Sequence, residues 1–563
     1  MDHKLAKNYG DAFEALASGE QDVVSKPKDI SFMSKAFDDD ASENFRCTIC
    51  VSEAGDQEAL INVVYNQYKN YEKSNDVEDS DIVWLGRPFE ISDKAILPKL
   101  NGFINRIHGC QIFREKYLQC WLLNQCKKYF PEQFKFHPQS YCLTKDYALL
   151  ERDLSQSTSD QLWVAKESDS GDGDNIVIFK TLDELKQSGC VRDDMVVQQY
   201  ISNPLLIRNK KWDARIYVIL HGINPMKAYI STDCGIGRFC TEDYDISDTE
   251  NIYSHLTNYS INKNSDKYVN YEEQDDHSTD DDMKFIHKMP MSQVWKLIEQ
   301  EYPDYDINSL KEKIVDCARG MLRSCRGAIE VKSAEMLNMN MSEEENNKFF
   351  HIIGLDIMFD ANLDIWLFET NRFPSMDLTW TRPNKDGVQE RNRSIIDERL
   401  KGTLFNEACK ILVGKHESSL FKEFYDSGMP DTIDHDFMYE KIMKVYRGLS
   451  GGAAKDALSL VDFSKIMTYF NLKEQNYSNF NEFLSDLDDK KTLNNEYSDA
   501  SSSEIEKFDF LNHSSEESKF GSFIQRFNVD DSMPLTLMDL FDGLDIISEA
   551  LQTDLISLLQ SLD

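Results

Sequence analysis

The chain has 563 residues and a formal net charge of −37, too long for one hydrophobic core and read as about three to four domains. That charge excludes a general nucleic-acid binder, because neutralising phosphates takes a basic surface. With no apolar run of about 18 residues and no charged-then-apolar leader, neither a membrane span nor secretion is expected.

Residues 1–44 are polar, contain Asp38-Asp39-Asp40, and read as a disordered leader. An N-terminal α/β subdomain is expected over 45–137, with strands Phe45–Val51 and Ile82–Leu85 and a helix Phe113–Tyr129 stopped by Pro131. The chain has twelve cysteines without framework spacing, which fits a reducing compartment, and Cys47 and Cys50 in the first strand read as core residues. From Trp84 to Lys135 there are nine Lys/Arg against four Asp/Glu, the one stretch suited to an acidic partner.

A central subdomain over 138–203 holds strand Gln161–Ala165, a loop with Gly171 and Gly173, strand Ile176–Phe179, helix Leu182–Gln187 and strand Met195–Ile201. The largest unit, 204–410, carries strands Ala214–His221 and Lys227–Ser231, helices Ser292–Gln300 and Ile307–Ser324, and an acidic insertion near 265–283 expected to be disordered. From 411 to 563 there are 13 basic and 29 acidic residues, read as an acidic, mostly helical extension. Its last helix lines up Leu544, Ile547, Leu551, Leu555, Leu558 and Leu562, a stripe for its own domain or for a helical partner at 544–562.

Chemistry concentrates in the third unit. His351–Met358 and Ile365–Phe368 read as strands joined at Asn362-Leu363-Asp364, which brings Asp356 and Glu369 towards one point. With the Asn371 amide they make an oxygen set suited to Mg2+, a hard cation that takes one or two carboxylates plus substrate phosphates. An edge hairpin with solvated acids accounts for those residues alone. Four further segments place polar groups inside apolar strands, which is costly unless the groups are paired or used. Trp163-Val164-Ala165-Lys166 ends in a lysine before the glycine loop. In Lys211-Trp212-Asp213-Ala214-Arg215 the three charges alternate onto one face. Gly235 to Arg238 offers an arginine after a flexible turn, and His255 to Ser260 is dense in hydrogen-bonding side chains. A snorkelling lysine, an ion pair, a surface turn and a helix cap are the plain alternatives.

Taken in order, Val197–Ile201, Asn203–Ile207, Lys211–Val218, Arg238-Phe239, His255–Lys263, Gly354–Asp356 and Glu369–Asn371 resemble the tubulin tyrosine ligase-like family. The resemblance covers about 80–410 and implies an α/β (α+β) fold with an ATP-grasp core. It implies ATP and Mg2+ as cofactors, a free amino acid as donor, and tubulin or microtubules as partner through glutamate-rich tails. Expected location is cytoplasmic and cytoskeletal, with the cilium or basal body included. By motif, Asp356, Glu369 and Asn371 would hold the metal. Lys166, Gln198, Tyr200, Ile201, Lys211, Asp213, Thr257 and Asn258 would hold the nucleotide. Arg215 and Arg238 would act at the reacting groups, and Arg238, Tyr259 and Ser260 would face the amino acid. In such ligases ATP phosphorylates an acceptor carboxylate and the amino acid's amine displaces phosphate. The run from Asn258 to Lys263 is similar to the glutamate-adding branch, so a polyglutamylase is expected, with a glycine-adding enzyme or a catalytically inactive scaffold as alternatives.

Two departures bear on activity. Where relatives carry a basic residue beside the loop glycines and a glycine before the isoleucine, this chain has Asp172 and Asn175. A misplaced charge some 4 Å from a phosphate costs up to about 4 kcal/mol at an effective dielectric near 20. After Asn371, Arg372-Phe373 stand where small residues are usual, narrowing the path of an acceptor.

Overall fold

Four short strands with parallel neighbours open the fold: β1 (Cys47–Ser52), followed by α1 (Glu58–Gln67) and β2 (Tyr71–Ser74), then β3 (Ile82–Leu85) and β4 (Phe103–Asn105). The computed structural model describes residues 46–427 apart from 53–56, 69, 157–160, 169–175, 193–194, 274–284, 338–341, 384–388, 415–417 and 419. The expected leader, most of the acidic insertion and the 544–562 stripe therefore lie outside the described residues. Helix α2 (Lys116–Tyr129) follows a 3-10 turn at His108–Phe113, so the expected helix starts three residues late.

The second unit is a small antiparallel sheet. It contains β5 (Ser140–Cys142), α3 (Leu143–Gln156), β6 (Trp163–Glu167), β7 (Val177–Phe179), α4 (Leu182–Gln187) and β8 (Met195–Gln199), with strand order β5-β8-β6-β7. Helices α3 and α4 cover one face, burying Leu150, Trp163, Phe179, Leu185 and Val197 together. Its opposite face, with Val164 and Tyr200, looks into the cleft.

The third unit supplies long strands: β9 (Trp212–His221), β10 (Lys227–Phe239), β11 (Lys288–Pro290), then α5 (Met291–Glu301), α6 (Ile307–Leu337), β12 (Phe349–Phe359) and β13 (Ile365–Asn371). A two-stranded ribbon of β14 (Thr379–Pro383) and β15 (Gln389–Arg393), helix α7 (Ile395–Cys409) and β16 (Lys422–Asp426) complete it. The large sheet runs β11-β10-β9-β12-β4-β3-β1-β2, with β13 beside β12 and β16 beside β10. It is mixed: β4 pairs parallel with β12, whereas β9, β10, β12 and β13 are antiparallel.

Alternation along these strands separates two faces. Trp212, Ala214, Ile216, Val218 and Leu220 on β9 and Ile353, Leu355 and Ile357 on β12 pack in the cluster that also holds Leu310, Ile314 and Leu322 of α6. The other face is apolar at one end, where Tyr217, Ile219, Phe350 and Ile352 meet Leu404 and Phe405 of α7. Towards the opposite end the same face turns polar, with Arg215, Asp213 and Asp356. Cover ends there, and the cleft begins.

Three elements differ from their sequence expectation. β10 runs eight residues past Ser231, so Gly235–Arg238 is strand rather than turn. Its register shifts between Ile230 and Gly235, and a Cβ on Gly237 would meet Val294 Cγ2 at 2.4 Å, so glycine is needed by the close passage of α5. Helix α6 continues 13 residues past Ser324 because Cys325, Ala328 and Ile329 keep feeding the buried stripe. Beyond residue 410, where helix is expected, β16 adds an antiparallel strand to the edge of β10. No described helix is long and apolar enough to cross a membrane.

Candidate active site

Four adjacent strands bring the charges together. Asp356 on β12 lies directly across from Arg215 on β9 and from Glu369 on β13, while Arg238 on β10 lies across from Asp213 on β9. Strict alternation from Leu367 would have turned Glu369 onto the face beneath α6. A bulge prevents this: Ile357 pairs with Leu367 and Asp356 with Glu369, so Phe368 is the extra residue and Glu369 shares the face of Asp356.

Asp356 is the centre of the ion network. Its carboxylate accepts two bonds from Arg215, Nε to Oδ1 and Nη2 to Oδ2 at 2.8 Å, and Arg238 Nη2 sits 2.9 Å from Oδ2. Arg238 also donates to both oxygens of Asp213, with Nε to Oδ1 at 2.8 Å. Burial alone would raise the Asp356 carboxyl, but Arg215 and Arg238 outweigh it and hold it well below the usual carboxylate range. Glycine at 354 makes the pairing feasible, since a Cβ there would fall 2.7 Å from Arg215 Cδ.

On the opposite wall Lys166 donates to Gln198 Oε1 at 2.9 Å and lies over the Phe368 ring. Its pKa is pushed down to about 8, by burial first, with Glu369 partly offsetting it. Lys211 is likewise pushed to about 8 by burial, against the pull of Cys240 and Asp213. It donates to the Tyr200 hydroxyl at 2.9 Å, and that hydroxyl sits 2.7 Å from His255 Nδ1. His255 Nε2 is 3.0 Å from the Asp248 carbonyl, which fixes Nε2 as the protonated nitrogen and makes Nδ1 the acceptor for Tyr200. Burial and Lys211 keep the imidazole neutral by lowering its pKa.

Between the walls lies an open cleft with about 850 Å³ of empty space, part of it continuous with solvent. Lys166, Gln198, Tyr200, Ile201, Lys211, Asp213, Arg238, Thr257, Asn258, Asp356 and Glu369 all line it. Arg215 lies behind Asp356, and Asn371 donates from Nδ2 to Asp356 Oδ2 at 3.2 Å. Tyr259 and Ser260 do not line it: the Tyr259 ring faces Tyr268 and the Lys288 ammonium, 5.2 Å from its centre. The glycine loop, 169–175, with Asp172 and Asn175, lies outside the described residues. At its start, Ser168 accepts the Lys116 and Tyr117 amides of α2.

Sequence reasoning missed Lys116, whose Nζ enters the cleft 3.9 Å from Glu369 Oε1. A lysine in a basic stretch at a helix start gives no local signal of this; only the fold carries α2 to the sheet. It also left His255 unassigned and did not foresee Val164, Ile176 and Phe368 as apolar lining.

The donor chemistry fits Mg2+. Two carboxylates and an amide, whose O and N exchange by a flip, present oxygens on two neighbouring strands. Among the described residues no three His, Cys, Asp or Glu side chains form a metal-binding group, so phosphate oxygens would complete the shell, as is usual for this ion. A nucleotide polyphosphate would also supply the countercharge that Lys166 and Lys211 lack at their ends.

The fold and cleft thus define an α/β protein with an acid-and-cation site between a large mixed sheet and a small antiparallel one. The chain belongs to the tubulin-tyrosine ligase family, whose sequence profile matches residues 95–390. It is 29% identical over 375 residues to a probable beta-tubulin polyglutamylase of Tetrahymena thermophila, covering 64% of this chain and 29% of that one. Against the mouse tubulin polyglutamylase TTLL11 it is 28% identical over 341 residues (59% and 44%), and against the human tubulin polyglutamylase TTLL6 27% over 350 (59% and 37%). The chain spans less than half the length of these relatives.

Proposed function

We propose that the chain is an ATP- and Mg2+-dependent carbon–nitrogen ligase of ATP-grasp architecture that adds an amino acid, glutamate before glycine, to glutamate side chains of tubulin tails. The observation that carries this reading is the charge row across β10, β9, β12 and β13, faced by buried Lys211 and partly buried Lys166, both of depressed pKa. Phosphoryl transfer needs positioning and charge stabilisation more than covalent help from the protein. Val164, Ile176, Tyr200 and Ile201 would hold the base, and Lys166, Lys211 and Lys116 the phosphates. Asp356, Glu369 and Asn371 would hold Mg2+, which neutralises charge on the phosphate oxygens. An acceptor carboxylate oxygen attacks the γ-phosphorus and ADP leaves. The amine then attacks the acyl carbon, losing a proton, and inorganic phosphate departs as the amide forms.

An acidic acceptor is supported by a second feature beside Asn371. Arg106 and Arg372 place their guanidiniums 4.6 and 4.2 Å from the ring centre of Phe373, two like charges sharing one ring. Arg372-Phe373 thus makes a cationic platform in place of a small-residue path. Names of the relatives favour glutamate and tubulin, which would place the enzyme on cytoplasmic microtubules or the axoneme. The inactive-scaffold reading rests on Asp172 and Asn175 in the glycine loop.

Incubation with Mg-ATP, tubulin and labelled glutamate, glycine or tyrosine separates these readings. Glutamate incorporation that is lost in Glu369→Gln is expected. Incorporation of none of the three, together with no ATP binding, would overturn the ligase reading and leave the scaffold.

A further inference from the structure

Behind Lys166 a second, smaller pocket adjoins the catalytic cleft. It measures about 20 Å³, above the roughly 10–15 Å³ that a water needs, and its walls include Gln119, His137, Lys166, Gln198 and Glu369. Lys166, Gln198 and Glu369 also line the cleft, so the lysine stands between the two spaces. His137 is 1% exposed and lies on the segment between α2 and β5.

Hydrogen bonds around His137 fix its ring. Asn124 of α2 donates from Nδ2 to the Ser140 carbonyl at 3.0 Å, so its Oδ1 is an acceptor, and His137 Nε2, 2.9 Å from that oxygen, carries the ring proton. Nδ1 is then a bare lone pair, buried and without a hydrogen-bond partner among the described residues. Asn124 is not a wall of the pocket, so the Nε2 side of the ring faces away from it. Protonation does not relieve Nδ1: burial first, then the charges of Lys127 and Lys166, push the imidazole pKa down to about 3. A buried acceptor of this kind is nearly always satisfied, often by an ordered water.

The Lys166 ammonium has the complementary need. It carries three N–H donors, of which Gln198 Oε1 takes one at 2.9 Å. A second is left for the pocket and a third for the cleft.

We propose that this pocket holds a water that donates to His137 Nδ1 and accepts from Lys166 Nζ, and that His137 is in this way a positioning residue for the lysine. Gln119 and Glu369 offer oxygens for the water's second hydrogen. With Gln198 and the water each holding one N–H, the third points into the cleft, towards the phosphates of a nucleotide. What concerns the nucleotide rests on the ligase reading; the bond at Nδ1 does not.

Magic-angle-spinning NMR of the sedimented full-length protein, labelled with 15N-histidine, reads Nδ1 directly. The His137 resonance, identified by its loss in His137→Phe or His137→Asn, is expected upfield of a bare imidazole nitrogen, as for an acceptor of a hydrogen bond. A resonance at the bare position would overturn the water site. ATP titration then separates positioning from packing. Phe matches the ring in size but accepts nothing, whereas Asn carries an amide oxygen to the neighbourhood of Nδ1; both lose the bond to Asn124, so the comparison isolates Nδ1. His137→Phe is expected to bind ATP about tenfold more weakly than the native chain, and His137→Asn to recover most of that loss. Equal binding by the two variants would reduce His137 to packing. A native chain that binds no ATP sinks the ligase reading, and the Nδ1 resonance alone then decides the water site.

Discussion

Lys166 and Lys211 have the most testable electrostatics in the molecule. Both pKa values are pushed down to about 8 from an ordinary 10.5. Above pH 8 the native lysines shed protons that the unfolded chain still holds, so stability should rise from about pH 8 to about pH 10.4 and be flat below. Nucleotide affinity should run the other way. Anionic phosphates favour the ammonium forms, so ATP binding at pH 8.5 should take up protons, up to about two if both lysines touch phosphate. Calorimetry in buffers of different ionisation enthalpy measures that number; proton release would remove both lysines from the phosphate site. Asp356 and Glu369 should separate in the same way. Asp356→Asn takes the paired carboxylate from Arg215 and leaves Arg238 with Asp213 alone, and should cost about 3–5 kcal/mol of stability. Glu369 faces Lys116 at 3.9 Å with 30% of its side chain exposed, a pair worth about 1 kcal/mol at most. Glu369→Gln should therefore abolish Mg-ATP binding while leaving denaturant stability nearly unchanged. Equal destabilisation by both would contradict the network.

At the scale of elements, the bulge at Phe368 and the glycine at 354 decide where the charges stand. An alanine at 354 would push Arg215 from Asp356, because its Cβ would stand 2.7 Å from Arg215 Cδ, too close for two carbons, and the guanidinium is held through both Nε and Nη2. Gly354→Ala is expected to lower kcat/KM at least about tenfold, near 1.4 kcal/mol in the barrier, with a smaller stability loss than Asp356→Asn. Unchanged kinetics would show that Arg215 is not needed in place. Much of this was readable beforehand. Ile82–Leu85 and Leu182–Gln187 fall where apolar runs and turn residues set them, and the hairpin of β12 and β13 follows from its loop. The bulge was not readable, since Ile365, Leu367 and Phe368 are apolar on either register, and only pairing with β12 reveals the extra residue. Nor was Lys116, whose role depends on a contact between residues 253 positions apart. Gly235 and Gly237 misled for a physical reason: glycine lowers strand propensity, yet β10 needs it where α5 crosses.

On the scale of the whole molecule, the core does not end where the composition changes. The sequence turns acidic after residue 410, and a boundary placed there divides a structural unit. Phe421 and Tyr425 are buried, Leu412 packs with Phe405 of α7, and β16 covers the outer edge of β10 from Lys227 to Ile230. Removing them loses the burial of three large side chains, about 1.5–3 kcal/mol each, and bares a strand edge that invites association. A chain ending at 410 should accordingly aggregate or melt well below the full-length protein. One ending at 427 keeps β16, the bonds between Ser427 and Met226 and those of Arg319 and Arg326 to the Phe424 and Ser427 carbonyls, and should bind Mg-ATP as the full chain does. Thermal melts and nucleotide titrations of the two truncations decide the matter. If the chain ending at 410 is as stable as the one ending at 427, β16 is dispensable and the acidic extension starts where its charge does; if neither binds nucleotide, the extension is part of the catalytic core.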